Sequence, residues 1–462
     1  MHYDLAITLK EDLDELASHI AITSKRLEEI LIERRKRVEK EEIRESILGI
    51  DGSYNSATLL GNERLYAITA TSVKEDFSVE SHIGGDFVYT DTPGSDLVAS
   101  ITMSLFEALL AIDGILKGYK YIFTDGSFRS LFSVYTGQIS GIPSRIALLV
   151  KQAISEIGLH PLEEALFYIS EEFGVSPKRD FYNLLKGFSQ EASSLLYKYI
   201  SIDKRRRGIR IDLENIKREI WESSIYRLLV NSVLSKAKEV LRISSDASEI
   251  RELEDALDRR QYEIEPLANA LALYSLYVRI LEKLVEKLRE SESIIIGASK
   301  RVVRETIEIE DIRIIEPRNK KLIGRIIASS EAFETPGYLK LKVKELTRLS
   351  IEKASLIADK VKKVDRYLSL KDPSISGGAL LLKASEGSIL RIEYMHSPEL
   401  KVSDEEIASK TSSLIFYKRG LSGGTATIVY VESAHNKCSV DSKFILDLSE
   451  KLHDKIRKRL GE

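Results

Sequence analysis

Two apolar runs in this chain end in the same tripeptide, Asp-Gly-Ser. The first is Ile47-Leu48-Gly49-Ile50-Asp51-Gly52-Ser53, and the second is Tyr121-Ile122-Phe123-Thr124-Asp125-Gly126-Ser127. A short apolar run that stops at turn residues is typical of a buried strand. A single Asp-Gly after a strand is most often only a turn. Because ligands gather at the carboxyl ends of strands in an open sheet, two such strands side by side would bring two carboxylates together.

The order of elements around these two runs predicts a mixed sheet. Residues 46–90 contain short apolar or alternating runs separated by turn signals, which indicates an antiparallel meander. A helical pattern follows over Leu97–Leu116 and ends near Gly118, just before the run that carries Asp125. A helix between two strands usually returns the chain parallel. The predicted fold class is therefore α/β, a ribonuclease H-like mixed sheet with flanking helices.

The second half of the chain predicts a helical insertion followed by further strands. Residues 213–241 and 247–290 have helical patterns that would form a long hairpin, with a kink at Pro266. Strands are predicted at 293–298, 312–315, 338–343, 379–384, 389–394 and 426–431, before a closing helix over 442–460. The predicted divisions are an N-terminal helical region (1–45), the first half of the nuclease-type domain (46–160), the helical insertion (161–290) and the second half with the C-terminal helix (291–462).

The length and composition of the chain limit the classes of protein to which it can belong. The 462 residues are about three times a domain of ~150 residues, and the net charge of −3 does not by itself indicate a polyanion binder. The single cysteine, Cys438, excludes an intrachain disulfide and a thiolate metal site. The N-terminus lacks the pattern of a secretory signal, and no window approaches ~18 uninterrupted apolar residues, so we expect a cytoplasmic protein. Abundant charged residues with only 3 Met are typical of thermophiles.

The paired acids suggest phosphodiester hydrolysis with divalent metal. Two ions about 3.5–4 Å apart activate a water, neutralise the phosphate and stabilise the leaving oxygen. Magnesium and manganese prefer oxygen ligands, which Asp51 and Asp125 would supply. Glu107 is a third candidate because it interrupts an apolar helix face, where a charge is costly without a cation. Glu107 as a surface residue and His435 as a structural histidine remain open alternatives.

A series of short motifs follows in a recognisable order along residues 46 to about 450. They are Ile50-Asp51-Gly52-Ser53, Glu107, Thr124-Asp125-Gly126-Ser127, Ser299-Lys300, Arg391-Ile392-Glu393 and Ala434-His435. In this order and spacing the chain resembles the NurA family of prokaryotic nucleases. Each motif alone is short, and the resemblance rests on their succession.

The resemblance implies a fold, an activity and partners. The fold would be ribonuclease H-like, and the activity would be manganese-dependent DNA hydrolysis, with magnesium as a substitute and two ions expected. It also implies 5′→3′ exonuclease and single-strand endonuclease activity, a homodimer, and a hexameric HerA-type ATPase translocase as partner in double-strand-break resection for homologous recombination. Carried over by position, Asp51, Glu107, Asp125 and His435 would be catalytic and metal-binding residues, and Lys300 and Arg391 would contact DNA.

The chain departs from the family pattern near its C-terminus. The segment Gly423-Gly424-Thr425-Ala426-Thr427-Ile428-Val429-Tyr430 replaces the Tyr-Pro-rich stretch that precedes the Ala-His pair in the family. The family's catalytic aromatic residue therefore has only Tyr430 as a candidate counterpart. Glu393 is a further candidate for the site, and His396 competes with His435 for the role of the histidine.

Two other functions stay open at this stage. A sugar-kinase or actin-like ATPase has a related sheet with acidic Asp-Gly turns near phosphates, and a non-catalytic structural adaptor would use the long helices for assembly. No G-x-x-x-x-G-K-[ST] loop occurs in the chain. Any energy for DNA translocation must therefore come from a partner.

Overall fold

A computed structural model gives the architecture of the chain. It describes residues 45–59, 63–139, 141–158, 248–299, 337–341, 376–385, 388–418, 428–440 and 442–460, with short stretches within 25–39, 200–211, 227–242 and 307–314.

Nine strands form the main sheet, and four short strands form two separate ribbons. In chain order the strands are β1 (Lys36–Arg37), β2 (Ile47–Thr58), β3 (Glu63–Lys74), β4 (Val79–Thr90), β5 (Tyr121–Thr124), β6 (Ile200–Asp203), β7 (Gly208–Ile211), β8 (Ile294–Ser299), β9 (Ile307–Ile309), β10 (Ile312–Ile314), β11 (Gly337–Leu341), β12 (Ser376–Ser385) and β13 (Ser388–His396). The main sheet has the order β1-β11-β12-β13-β8-β5-β2-β3-β4, whereas β6 pairs with β7 and β9 with β10.

The strand directions define a mixed sheet with a meander at one side. Strands β2, β3 and β4 are antiparallel neighbours, β5 returns parallel to β2, and β8 lies parallel to β5. Beyond β8 the sheet continues antiparallel through β13, β12 and β11. The α/β class and the mixed sheet are confirmed, and the meander followed by parallel strands agrees with the ribonuclease H-like prediction.

Helices cover both faces of the sheet. They are α1 (Ser95–Leu116), α2 (Phe128–Ile139), α3 (Ile142–Glu156), α4 (Ser248–Arg259), α5 (Gln261–Arg289), α6 (Asp404–Tyr417), α7 (Val429–Cys438) and α8 (Ser442–Leu460). Side chains alternate along each strand, so successive residues enter opposite cores. In β5, for example, Ile122 packs with α1 to α5, whereas Tyr121 and Phe123 pack with α6 and α7.

The larger of the two main hydrophobic cores lies on the face of the sheet that α1 to α5 cover, and helix α1 is at its centre. It is the one helix among the described residues that is long and apolar enough to cross a membrane, yet 89% of its most apolar window is buried inside the protein. Gly114 allows this close packing, since a side chain there would meet Leu48 and Ile122 of the sheet. The apolar surface of α1 is thus used by the protein's own core.

Two sequence predictions were wrong in detail. The segment 426–431 was predicted to be a strand, but it is helical from Val429 onward. The helix buries Tyr430, Val431, Ala434 and Cys438, which recur at helical spacing. Residues 426 and 427 lie outside the described residues. The long helix over 247–290 is divided at Arg260 rather than kinked at Pro266. A proline disturbs the turn that precedes it, because its ring collides with the carbonyl four residues earlier.

The predicted divisions of the chain stay predictions. Helix α5 shares one core with α1, so this part of the predicted insertion packs directly on the sheet domain. Most of residues 159–226, and with them the beginning of the first helix of the predicted hairpin (213–241), lie outside the described residues, whereas the residues described between 227 and 238 are helical. In the N-terminal region, residues described between 25 and 33 are helical, and β1 follows at 36–37.

The larger core contains two tyrosines in edge-to-face contact, one with a paired hydroxyl and one with a hydroxyl unpaired within the described part of the chain. They allow the effect of a buried hydrogen bond on stability to be compared in one environment. The rings of Tyr135 and Tyr277 are 5.8 Å apart. The Tyr135 hydroxyl makes hydrogen bonds with Ser100 and Ser104, each at 2.8 Å, whereas the Tyr277 hydroxyl has no partner among the described residues. An unsatisfied buried hydroxyl costs about 1–3 kcal/mol.

We therefore expect the two Tyr→Phe substitutions to change stability in opposite directions. Tyr277→Phe should raise the free energy of unfolding by about 1 kcal/mol, because it removes an unpaired group. Tyr135→Phe should lower it by a similar amount, because Ser100 and Ser104 lose a partner. Denaturant unfolding measures both. Equal losses in the two variants would contradict this assignment.

Candidate metal centre

The two Asp-Gly-Ser elements lie on neighbouring parallel strands and end at the same level. Ile50 pairs with Thr124, so Asp51 and Asp125 each directly follow the last pair between β2 and β5. The prediction that the first strand ends at Asp51 is wrong, because β2 continues through Asp51 to Thr58 along β3. Asp51 is buried, with 3% of its surface exposed. The backbone thus places the two acids at the same level of two neighbouring parallel strands.

Glu107 reaches this edge from α1. Helix α1 runs antiparallel to β2, with Gly114 over Leu48 and Glu107 over Gly52. A side chain at Gly52 would lie 2.7 Å from the Glu107 Oε1 atom, so only glycine leaves room for this carboxylate. Glu107 is buried at 3% exposure and does not lie on the protein surface.

The electrostatics of Glu107 reflect its acidic neighbours. Burial raises the pKa of Glu107 well above its ordinary value, and the charges of Asp51 and Asp125 raise it further, while the Gly52 amide opposes them. Burial and the charges of Asp51 and Glu107 also raise the pKa of the nearby Cys438 thiol. The negative charges of the three acids therefore repel one another and are only partly compensated by neighbouring groups.

His435 reaches Asp51 from α7 because that helix packs directly on β2. A side chain at Gly49 would lie 2.6 Å from the Val431 amide nitrogen, so the absence of one lets the α7 backbone touch the strand. One turn after Val431, His435 Nδ1 lies 2.6 Å from Asp51 Oδ2. The other Asp51 oxygen accepts a hydrogen bond from the Gly52 amide at 2.9 Å. The His435 side chain is about half exposed (52%).

Glu393 also belongs to this edge of the sheet. It pairs with Gly297 of β8, which in turn pairs with Thr124 of β5. Its carboxylate accepts a hydrogen bond from Ser127 Oγ. It also forms an ion pair with Arg391, whose Nη2 atom lies 3.0 Å from Glu393 Oε1. The candidate acid Glu393 and the predicted DNA-binding residue Arg391 are therefore paired with each other, and Arg391 is mostly buried.

Two further predicted residues, His396 and Tyr430, are not brought to the carboxylates. His396 lies at the opposite end of β13, beside Ile294, with its Nδ1 atom 2.8 Å from the Ser397 carbonyl. Burial lowers the pKa of His396. The Tyr430 ring packs on Phe77 at 5.4 Å and under the Lys418 ammonium at 5.9 Å. Lys300 lies outside the described residues.

A polar row next to Asp51 escaped prediction from the sequence. Asp51 pairs with Thr71 of β3, and Thr71 pairs with His82 of β4, so all three share one face of the sheet. Thr71 Oγ1 lies 2.7 Å from His82 Nδ1, and His82 is exposed. The register of the meander is needed to find this histidine, since 31 residues separate it from Asp51 in the chain.

The donor set suits a hard divalent cation, although its oxygens do not converge in this structure. Carboxylates and an imidazole are ligands that manganese and magnesium accept. Within the described part of the chain, however, no group of three or more His, Cys, Asp or Glu side chains is arranged to hold an ion. The Asp51 carboxylate is engaged instead by His435 and the Gly52 amide.

The contact between Gly49 and α7 can be tested by adding one methyl group. Gly49→Ala should lower the free energy of unfolding by about 1–3 kcal/mol, because the Cβ atom overlaps the backbone of Tyr430 and Val431. The control is Gly137→Ala in α2, where a Cβ has open space and replacement of a helical glycine should stabilise by about 0.5–1 kcal/mol. Denaturant unfolding measures both. A Gly49→Ala protein as stable as the parent would refute the close packing.

The raised pKa of Glu107 predicts a pH-dependent gain from neutralising this residue. In metal-free protein, the folded state holds a proton that the unfolded chain releases near the ordinary value of 4.5, so stability is lost as pH rises above that value. Glu107→Gln should therefore be more stable than the parent at pH 7–8 in a chelator. The gain should vanish as pH falls toward 4.5. Thermal unfolding across this range measures it.

The matched control is Glu252→Gln on the exposed face of α4, which should change stability little at any pH. A gain in Glu107→Gln that is the same at pH 4.5 and pH 8 would show that charge burial is not its cause.

Comparisons with known proteins give two structural likenesses. No protein-family model matches the chain, and no curated protein matches it by sequence. A crystal structure of NurA bound to dAMP and manganese superposes with a TM-score of 0.43 and 16% identity, over 93% of this chain and 91% of that one. A second crystal structure of NurA gives 0.42 and 15%, over 97% and 98% of the two chains. The structure thus resembles NurA crystal structures over nearly its whole length, at low sequence identity.

Proposed function

We propose that this chain is a metal-dependent DNA nuclease that hydrolyses phosphodiester bonds at the edge where the pairing of β2 with β5 ends. The observation that supports this proposal best is the buried pair Asp51 and Glu107 with the half-buried Asp125 nearby, since the charges of both aspartates raise the pKa of Glu107. Burying like charges is costly. A divalent cation offsets that cost, so the arrangement is better suited to binding metal than to stabilising the fold.

Asp51, Glu107 and Asp125 would hold the metal, for which manganese is the proposed ion and magnesium a substitute. When bound, divalent ions supply an activated water and neutralise charge on the phosphate oxygens. The protein contributes three carboxylates on or beside regular elements: Asp51 within β2, Asp125 directly after β5, and Glu107 on the central core helix. Gly52 keeps the space beside Asp51 and Glu107 free of a side chain.

His435 is suited to handle the proton of the leaving group. Its Nδ1 atom faces Asp51, and this contact orients the ring. The Nε2 atom lies on the other side of the ring, and the side chain is half exposed. An imidazole held in this way can give a proton to the departing oxygen of a nucleotide.

The finer parts of the proposal are supported by the order of motifs along the chain. They are 5′→3′ exonuclease and single-strand endonuclease activity, a homodimer, and action with a HerA-type hexameric translocase in double-strand-break resection. Of the motifs in this order, Asp51-Gly52-Ser53, Glu107, Asp125-Gly126-Ser127, Arg391-Ile392-Glu393 and Ala434-His435 lie near one another at one edge of the sheet.

The proposal predicts that Asp51 is indispensable. Asp51→Asn keeps the size of the side chain and removes its charge, so release of nucleotides from DNA with manganese should fall by at least about 100-fold, as when a preorganised transition-state contact is lost. The measurement is nucleotide release from labelled single- and double-stranded DNA, with and without a chelator.

The matched control is Asp255→Asn on the exposed face of α4, which should retain full activity. Activity that persists in Asp51→Asn, or that is insensitive to chelation, would overturn the nuclease assignment to this site. Absence of manganese binding to the parent protein in calorimetry would favour a non-catalytic adaptor.

A further inference from the structure

A buried chain of three side chains connects the second Asp-Gly-Ser element to the far side of β8. Ser127 Oγ donates a hydrogen bond to Glu393 Oε2, and Arg391 Nη2 lies 3.0 Å from Glu393 Oε1. Ser127 and Glu393 are 5% and 6% exposed. A buried carboxylate needs a compensating charge, which Arg391 supplies from the same face of β13.

Gly297 makes this connection possible. It pairs with Thr124 on one side and with Glu393 on the other, so it lies between the Asp125 turn and β13. A Cβ atom at Gly297 would lie 2.5 Å from the Ser127 Cα atom. Because there is no side chain, the turn after β5 lies against β8, and Ser127 reaches across that strand to Glu393.

The turn that carries Asp125 is therefore held at both ends. Thr124 is fixed in the sheet between β2 and β8, and Ser127 is fixed by Glu393 immediately before α2 begins. Asp125 lies two residues from this second anchor. Residues that orient a metal ligand without touching the ion typically change metal affinity by about 10–100-fold.

We propose that Glu393 is a positioning residue that acts through Ser127 to fix the Asp125 turn, and that Arg391 serves as the counter-ion of Glu393. This inference rests on the proposed metal-binding function. Glu393 and Arg391 thus belong to the internal support of the site, whereas the sequence offered Glu393 only as a further candidate for the site and the resemblance implied that Arg391 contacts DNA.

The test is a double-mutant cycle on manganese affinity. The parent, Ser127→Ala, Glu393→Gln and the double variant are titrated with Mn²⁺ by isothermal calorimetry, without DNA. Each single variant should bind Mn²⁺ about 10-fold more weakly than the parent. The double variant should be no weaker than either single variant, because both substitutions break the same connection.

The matched control is Ser293→Ala. Ser293 is a buried serine just before β8, at the opposite edge of the sheet, and its hydroxyl donates to the Tyr119 carbonyl at 2.7 Å. This variant should lose thermal stability as Ser127→Ala does, while its Mn²⁺ affinity stays that of the parent. Weakened Mn²⁺ binding in Ser293→Ala would show that general destabilisation, and not positioning, lowers affinity.

Several outcomes would overturn the inference. An unchanged Mn²⁺ affinity in Ser127→Ala would show that Ser127 does not position the Asp125 turn. This result is sufficient even if Glu393→Gln does not fold. Independent losses that multiply in the double variant would identify Glu393 as a direct ligand. Failure of the parent to bind Mn²⁺, or unchanged binding in Asp51→Asn, would instead remove the proposed function itself.

Discussion

Repulsion among three neighbouring carboxylates, two of them buried, is the constraint on which this structure depends. Asp51 and Glu107 are each 3% exposed, and Asp125 follows the strand beside Asp51. Removing an ion from water costs several kcal/mol even after the protein relaxes. The protein limits this cost by directing the Gly52 amide and His435 at Asp51, and by favouring the protonated form of Glu107. A cation would replace all of these compensations at once.

Three glycines allow distant segments to converge on this edge. Gly52 leaves space for Glu107, Gly49 lets the backbone of α7 touch β2, and Gly297 lets the Asp125 turn lie on β8. In each case a Cβ atom would overlap another part of the chain. The site therefore depends on missing side chains as much as on the acids, because strands and helices approach one another more closely there than ordinary packing permits.

Much of the first half of the fold could be predicted from local pattern. The helix before Gly118 and the strand before Asp125 have strong periodicity, and they were found within a few residues of their predicted bounds; the meander was also found, but its first strand continues past Asp51 to Thr58. Asp51, Asp125 and Glu107 were identified by the cost of placing charge beside apolar runs. Strand order is a long-range property, and the Glu393 contact with Ser127, 266 residues away, depends on β13 lying beside β8.

The start of α7 shows how tertiary contact overrides local preference. Ile428, Val429, Tyr430 and Val431 are residues typical of strands, and the sequence predicted one there. In the structure this segment has no strand neighbour among the described residues; its backbone packs on Gly49, and a helix buries Val431 and Ala434 on one side. The helical turn is also what carries His435 to Asp51, since a strand would send alternate side chains to opposite faces.

The choice between the two candidate histidines depends on strand direction. His396 ends an apolar strand, as Asp51 and Asp125 do, and by pattern alone it belongs beside them. However, β13 runs antiparallel to β8, so the end of β13 lies beside Ile294, where β8 begins. The start of β13 lies at the acidic edge, which explains why Arg391 and Glu393 reach the Asp125 turn and His396 does not. An antiparallel strand places its early residues where parallel strands place their last ones, and the sequence does not reveal which direction a strand takes.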